Sequence, residues 1–408
     1  MRKHYNKLIL IPIFSLFTLF GQNVEKEIQT QLILVENGGQ VILPEGISEI
    51  KGTLSLEGKE NVTIIGSGMD NTILSYSDQE DGAEGLKITN CKNITLKDFT
   101  VQNSKGDGIK SQDTDGIYFY NVKAEWTYGP KPTNGAYGLY PVQCSNVMID
   151  GCVAIGASDA GIYVGQSKNI VVKNSEAYHN VAGIEIENSV NADVFNNYAH
   201  DNTGGILVFD LPDLEVKSGH SVRVFDNKVI ENNLKNFAPP GNIVATVPAG
   251  TGIMVLATSE VEIFNNEIID HKTAGTAIVS YFITEEPIED EEYNPYTSAI
   301  YIHDNVYRQK KQIPTLKHEI GQLLFFKFGR NIPEIIYDGN PDPQYVSENG
   351  EMTEGRGFCI ENNQGADFLN LDINNNFEKW YTPFFTKFST DKSEFNCQIP
   401  QIKHEFNF

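Results

Sequence analysis

Between Gly85 and Gly275 the chain repeats itself about every 22 residues, with no helical rhythm inside the repeat. Copies open at Gly85, Gly108, Gly138, Gly161, Gly183, Gly205 and Gly252. The pattern is plainest in Gly161-Ile-Tyr-Val-Gly-Gln-Ser-Lys-Asn-Ile-Val-Val-Lys-Asn-Ser and Gly183-Ile-Glu-Ile-Glu-Asn-Ser-Val-Asn-Ala-Asp-Val-Phe-Asn-Asn. A fixed period in this range belongs to architectures in which one small unit is stacked on the next. Each copy holds three short alternating stretches. Apolar residues fall one and three places after the glycine (Ile162/Val164, Ile184/Ile186, Ile206/Val208) and nine and eleven places after (Val147/Ile149, Ile170/Val172). A small or branched residue follows sixteen places on (Ala154, Ala177, Ala199). Alternation at period two means a strand with one buried face. Three such strands make one turn of a single-stranded parallel β-helix, an all-β solenoid in which turns pair about 4.8 Å apart and only stacking buries the inner faces.

The polar punctuation fits. Asn93, Asn146, Asn169 and Asn191 sit eight places after their glycines, and Asn121, Asn174, Asn196 and Asn265 thirteen places after. Asparagine tolerates left-handed backbone, so it suits a recurring corner, and stacked amides can form ladders.

Regular turns are expected from about Gln40 to about Asn305, within a β-helix domain of residues 22–309. Before them, Val24, Ile28, Leu32 and Val35 have helical spacing; an amphipathic helix over 24–36 would cover the open first turn. After them the pattern stops. Residues 316–330 are apolar enough for a helix, and 310–408 are expected to form a C-terminal cap. Insertions interrupt the period at 127–137, 211–220, 234–251 and 281–298. The first, third and fourth are read as entering at one corner, where they would wall one sheet; on solenoids such insertions often mark the binding face.

Arg2, Lys3 and Lys7 precede an apolar run over 8–20, which reads as a secretory signal peptide of residues 1–21, too short to span a membrane. The expected location is secreted or periplasmic, and no other stretch is long enough to cross a bilayer. Loss of the leader would take the formal charge from −23 to −26, against the basic stripes of nucleic-acid binders. Much acid lies in one loop, Glu285, Glu286, Glu289, Asp290, Glu291 and Glu292, read either as a solvated charge run or as a calcium site. Cys91 and Cys144 share a repeat position two turns apart, about 9–10 Å, beyond disulfide reach. Cys359 and Cys397 lie outside the repeats, where a disulfide suits a secreted chain. His179 and His200 are a register apart and lack further ligands, so they read as corner residues and not as a zinc site.

Residues two and four places after each glycine should point outward. One column reads Lys87, Lys110, Tyr140, Tyr163, Glu185, Leu207; the other reads Thr89, Gln112, Val142, Gly165, Glu187, Phe209. Ring faces for sugar C–H groups, hydroxyls, lysines and carboxylates would line an elongated groove suited to a polysaccharide.

The run Tyr137-Gly-Leu-Tyr-Pro-Val-Gln-Cys-Ser-Asn-Val-Met-Ile-Asp-Gly-Cys-Val-Ala, followed by Asp159-Ala-Gly-Ile, resembles the catalytic turns of alginate (mannuronan) epimerases. That family is a right-handed parallel β-helix acting on uronic acid polymers, with Tyr-Gly-Phe-Asp-Pro-His on one strand and Lys-x-Asp-Gly about a turn earlier. Lys105-Gly-Asp107-Gly stands in the lysine position and Tyr137 in the tyrosine position, while Tyr140 replaces the family's Asp and Val142 its His. Epimerisation or β-elimination removes the proton next to a carboxylate, which needs a neutralising cation, a base and an acid. The resemblance implies Lys105, Tyr137 and Tyr140 as catalytic candidates, with Asp107, Lys110, Tyr163, Glu185 and Glu187 binding substrate. The base is missing from its expected place at Val142. Two readings follow: a carbohydrate-active protein for an acidic polysaccharide (if an enzyme, a lyase or uronate epimerase), or a non-catalytic surface or periplasmic scaffold for a protein partner.

Overall fold

The computed structural model describes residues 17–373 and 388–406. Residues 1–16 of the expected leader, and 374–387 and 407–408 of the expected C-terminal cap, lie outside the described residues. The chain coils into stacked turns whose strands pair in parallel throughout the coil. The glycine-led strands form one eleven-stranded sheet, here the glycine sheet, running from Leu54–Glu57 through Tyr137–Val142, Ala160–Gly165, Ala182–Glu187 and Gly204–Phe209 to Phe368–Asn370. The second and third strands of each turn share a broad 19-stranded sheet. Ile162, Ile184, Ile206 and Ile253 are in register, as are Val147, Ile170, Ala192 and Val222, and all lie in one continuous core.

The asparagine corners have left-handed backbone as expected: φ is 51° at Asn93, 57° at Asn169, 52° at Asn174 and 58° at Asn196. Two further ladders run inside the coil. Asn197, Asn227, Asn266, Asn305 and Asn363 form one; from Asn227 upward each Oδ1 accepts the backbone N–H and Nδ2 of the rung below, Asn197 Oδ1 accepts the Ser175 N–H, and each Nδ2 also donates to a strand carbonyl. Asn180, Asn202 and Asn232 form the other, topped by the buried ring of His271. These bonds satisfy buried donors and acceptors that the corners would otherwise strand.

The N-terminal cap is the helix Phe17–Leu34, seven residues earlier in its start than its apolar spacing suggests, with Ile28 and Leu32 in the core. Among the described residues no helix is long and apolar enough to cross a membrane. The sheets outlast the visible repeat. Ile335–Tyr337, Phe358–Glu361 and Phe368–Asn370 add rungs past residue 309, hidden in sequence because long connections precede the first two. Phe395 packs on Tyr337, Phe358 and Phe368 at this end of the core. The helix Glu319–Phe328 forms where expected, but its Leu324 packs on the outward face of the glycine sheet.

Cys359 and Cys397 are joined, while Cys91, Cys144 and Cys152 are free and buried. From Cys397 the C-terminal segment runs back along one column of the broad sheet, Cys359, Tyr301, Glu262, Arg223 and Asp193. Ile402 donates its N–H to Glu262 and accepts from Arg223, and His404 lies 2.8 Å from Asp193. Burial alone would raise the Asp193 carboxyl, but His404 and Arg223 outweigh it and hold it below the usual range.

One reading of the insertions is corrected. Those over 127–137 and 234–251 precede glycine-sheet strands, but 211–220 and 281–298 follow them, after Gly204–Phe209 and Ala274–Val279. The fourth therefore shares its corner with the second, because Ala274–Val279 is itself a glycine-sheet strand paired with Thr251–Leu256. The two corners flank the two edges of the sheet. Lys217 of the second insertion binds Asp290 at 2.8 Å and Glu292 at 3.0 Å in the fourth, and Tyr293 donates to the Asp210 carbonyl.

Candidate functional site

The outward columns are in register: Lys87 pairs with Lys110, Lys110 with Tyr140, Tyr163 with Glu185 and Glu185 with Leu207. They are not an open groove along their whole length. Lys87, Lys110, Tyr140, Tyr137 and Asp107 are half-buried, but Tyr163 is 3%, Glu185 1% and Glu187 7% exposed. The cause is the third insertion, whose Val244 and Val247 join Tyr163, Leu207 and Phe209 in a second apolar cluster outside the coil. The strip thus has an open end and a covered end.

Where the open end meets the covered end three tyrosines pack together. Ring centroids lie 4.4 Å apart for Tyr137–Tyr140, 4.5 Å for Tyr137–Tyr163 and 5.0 Å for Tyr140–Tyr163. The Lys110 ammonium sits 4.9 Å over the Tyr140 ring, a cation–π contact. Asp107 accepts the Tyr137 backbone N–H at 3.3 Å; burial pushes its carboxyl up to about 6, opposed by Lys110. Lys105 is exposed; its backbone N–H bonds Gln79 and its charge acts on Glu80. The structure therefore brings Asp107, Lys110, Tyr137, Tyr140 and Tyr163 together and sets Lys105 at the margin.

At the covered end Tyr163 reaches along its strand to donate to Glu187 at 2.5 Å. Its ring passes over Gly165, where any Cβ would collide with it. Asp159, outside the columns, accepts from Asn242 of the third insertion at 2.9 Å. Burial raises the carboxyls of Asp159, Glu185 and Glu187, with mutual repulsion adding to it at Asp159 and Glu185. Burial also raises Asp210, to about 7, and holds the hydroxyls of Tyr137, Tyr140 and Tyr163 above their ordinary range, so that they are donors at neutral pH. Asp159 and Asn242 escaped the column reading. Asp159 lies before the repeat glycine, and Asn242 sits in an insertion where no period operates.

Residues 84–238 match the sequence profile of the family described as "Right handed beta helix region". In overall shape the chain is similar to the A-module of the mannuronan C-5 epimerase AlgE4 of Azotobacter vinelandii, at 15% identity over 84% of this chain and 90% of that one, with a TM-score of 0.54. The fold is a right-handed parallel β-helix. Two further similar structures are an alginate lyase from Paenibacillus sp. str. FPU-7 (14% identity, 71% and 94% covered, TM-score 0.45) and a DFA-IIIase from Arthrobacter chlorophenolicus A6 (10%, 81% and 94%, 0.45). No curated protein matches the chain. At these identities the likeness concerns the β-helix itself, and function has to be argued from the site.

Proposed function

We propose that this β-helix is a secreted or periplasmic carbohydrate-active protein whose glycine-sheet strip receives an acidic polysaccharide. The observation that carries the reading is the open end: Lys87, Lys110 and Tyr140 stacked in one half-buried column beside a cluster of tyrosine rings. Lys110 rests on a ring face, so its charge is available to a uronate carboxylate. Tyr137 and Tyr140 offer hydroxyl protons, and Asp107, largely ionised above pH 6, can accept one. A cation, a proton acceptor and proton donors are what removal of the proton beside a uronate carboxylate requires. Val142 leaves the position of the family's histidine without a base, and Asp107, whose charge bears on Tyr140, takes that role in this reading. Lyase or epimerase chemistry on a uronate polymer is the reading that this set of groups suits, and the likeness in shape to a mannuronan C-5 epimerase module accords with it. The test is incubation of the mature protein with alginate and pectin panels, with measurement of unsaturated-product absorbance and of binding. Product or affinity lost in Lys110→Ala supports the reading; no product and no affinity across the panel ends it. A mature N-terminus near residue 22 would support export.

A further inference from the structure

The covered end of the strip contains a polar group that folding does not use. Both carboxyl oxygens of Glu185 are buried and have no hydrogen-bond partner among the described residues. The charged groups that bear on it are Asp159 and Glu187, both acids. The asparagine ladders show the contrast: each of their amides is bonded rung to rung. A stranded buried carboxyl costs stability, and an apolar side chain of similar size avoids that cost. The coil itself shows that the column accepts one, because the next rung up is Leu207, fully buried under the same cover. A buried group that the fold leaves unsatisfied calls for an explanation, and a ligand that supplies its partner is one. The other buried side-chain atoms without a partner among the described residues, such as the Tyr76 and Thr203 hydroxyls and His271 Nδ1, are single hydroxyl or ring atoms, and Glu185 alone leaves a carboxyl stranded.

We infer that Glu185, with Glu187 and the Tyr163 hydroxyl, forms a second saccharide subsite, and that the unit it takes is an uncharged, hydroxyl-rich sugar ring and not a uronate. The inference rests on the polysaccharide reading of the open end and specifies it. A carboxylate entering here would meet Asp159, Glu185 and Glu187 with no cation among the groups that act on Glu185. A sugar hydroxyl can donate to one carboxyl oxygen and accept from a protonated one, which suits neutral acids. The charged unit stays at Lys110, three rungs below Glu185 and so about 14 Å away at the strand spacing. The strip therefore selects a polymer with charged and uncharged units in a set direction. Entry requires the third insertion to lift, which breaks the Asn242–Asp159 bond and uncovers Val244 and Val247 from the second cluster.

Calorimetric titration of the mature protein with two pectin-derived oligomers of equal length, one fully de-esterified and one partly methyl-esterified, tests this in wild type, Glu185→Leu and Glu185→Gln. Wild type should prefer the partly esterified oligomer. Glu185→Leu should melt a few degrees higher, since it removes the stranded group, yet bind that oligomer about tenfold more weakly or worse, with no such loss for the de-esterified one. Glu185→Gln, still uncharged and able to donate and accept, should stay within about threefold of wild type. Preference for the de-esterified oligomer, a Glu185→Leu variant no more stable than wild type, or full binding by that variant overturns the subsite alone. Loss in Glu185→Gln equal to that in Glu185→Leu overturns it too. Wild type binding neither oligomer overturns the subsite, and wild type binding nothing in the alginate and pectin panels overturns the open-end reading with it.

Discussion

Asn227 and Glu185 are both fully inaccessible to water, and both belong to columns that climb the same coil. The asparagine is bonded through every polar atom of its amide, to the rungs above and below and to a strand carbonyl. The glutamate is bonded through none. The ladder lies in the corners of the coil, where geometry repeats and one solution serves every turn. The covered strip lies on the outer face of the glycine sheet, where insertions of different length meet and the outward residues change from rung to rung. Repetition satisfies buried polar groups cheaply; departure from repetition leaves room for chemistry.

The contrast is most severely tested at Asn227. Asn227→Ala strands the Asn197 backbone N–H and the Val194 carbonyl, and should cost about 3–5 kcal/mol in denaturant unfolding. A loss below about 1 kcal/mol would mean that the ladders do not hold the turns. The next effect is on pH. Asp107, Asp210 and Asp338 are held near 6, 7 and 6, and Asp159, Glu185 and Glu187 are also raised, all by burial. The folded state keeps these protons where the unfolded chain releases them, at about pH 4. Their stabilisation is whole below about pH 4 and is lost as pH rises towards 7. His271, held neutral at about 3, works the other way, since the unfolded ring takes a proton below about pH 6.5. The acids outnumber it, so melting should occur roughly 5 °C higher at pH 5 than at pH 8; the reverse order would place the acids in water. Gly165→Ala should cost about 2 kcal/mol, because the Tyr163 ring must leave its place and the Glu187 bond with it. A calorimetric scan showing wild-type stability would remove the ring from that path. Smallest in stability, within about 0.5 kcal/mol, is Lys110→Ala, a half-buried change at the open end; its effect belongs in polysaccharide binding instead.

The coil was legible because its inner positions obey one period. Ile162, Ile184 and Ile206 had to stack once the glycines were in register, and the corner asparagines had to take left-handed backbone. The outward columns followed from the same register. Their cover did not. Nothing in residues 234–251 repeats, so the sequence could not place Val244 over Leu207 or Asn242 on Asp159. The edge of the fourth insertion was misread for a related reason: Gly275 opens a strand, and the interruption after it looks like the one before Gly252. Past residue 309 the rungs persist, but a long connection separates Tyr337 from Phe358, and no window holds two copies. The buried ladder at Asn197 and Asn227 lies one residue beyond the asparagine position that the period had singled out, and marks how finely corner geometry divides exposed from inaccessible amides.

The returning C-terminal segment gives the molecule a property that stacked turns lack on their own. In a solenoid each turn is held only by its neighbours, and loss can creep inward from an end. Here a strap fastened at Cys359 and anchored again at Glu262, Arg223 and Asp193 ties non-adjacent turns to one another. Peeling the upper turns means detaching the strap first, so that half of the coil should come apart in one step, like a book whose pages are stitched through the spine and not merely glued sheet to sheet.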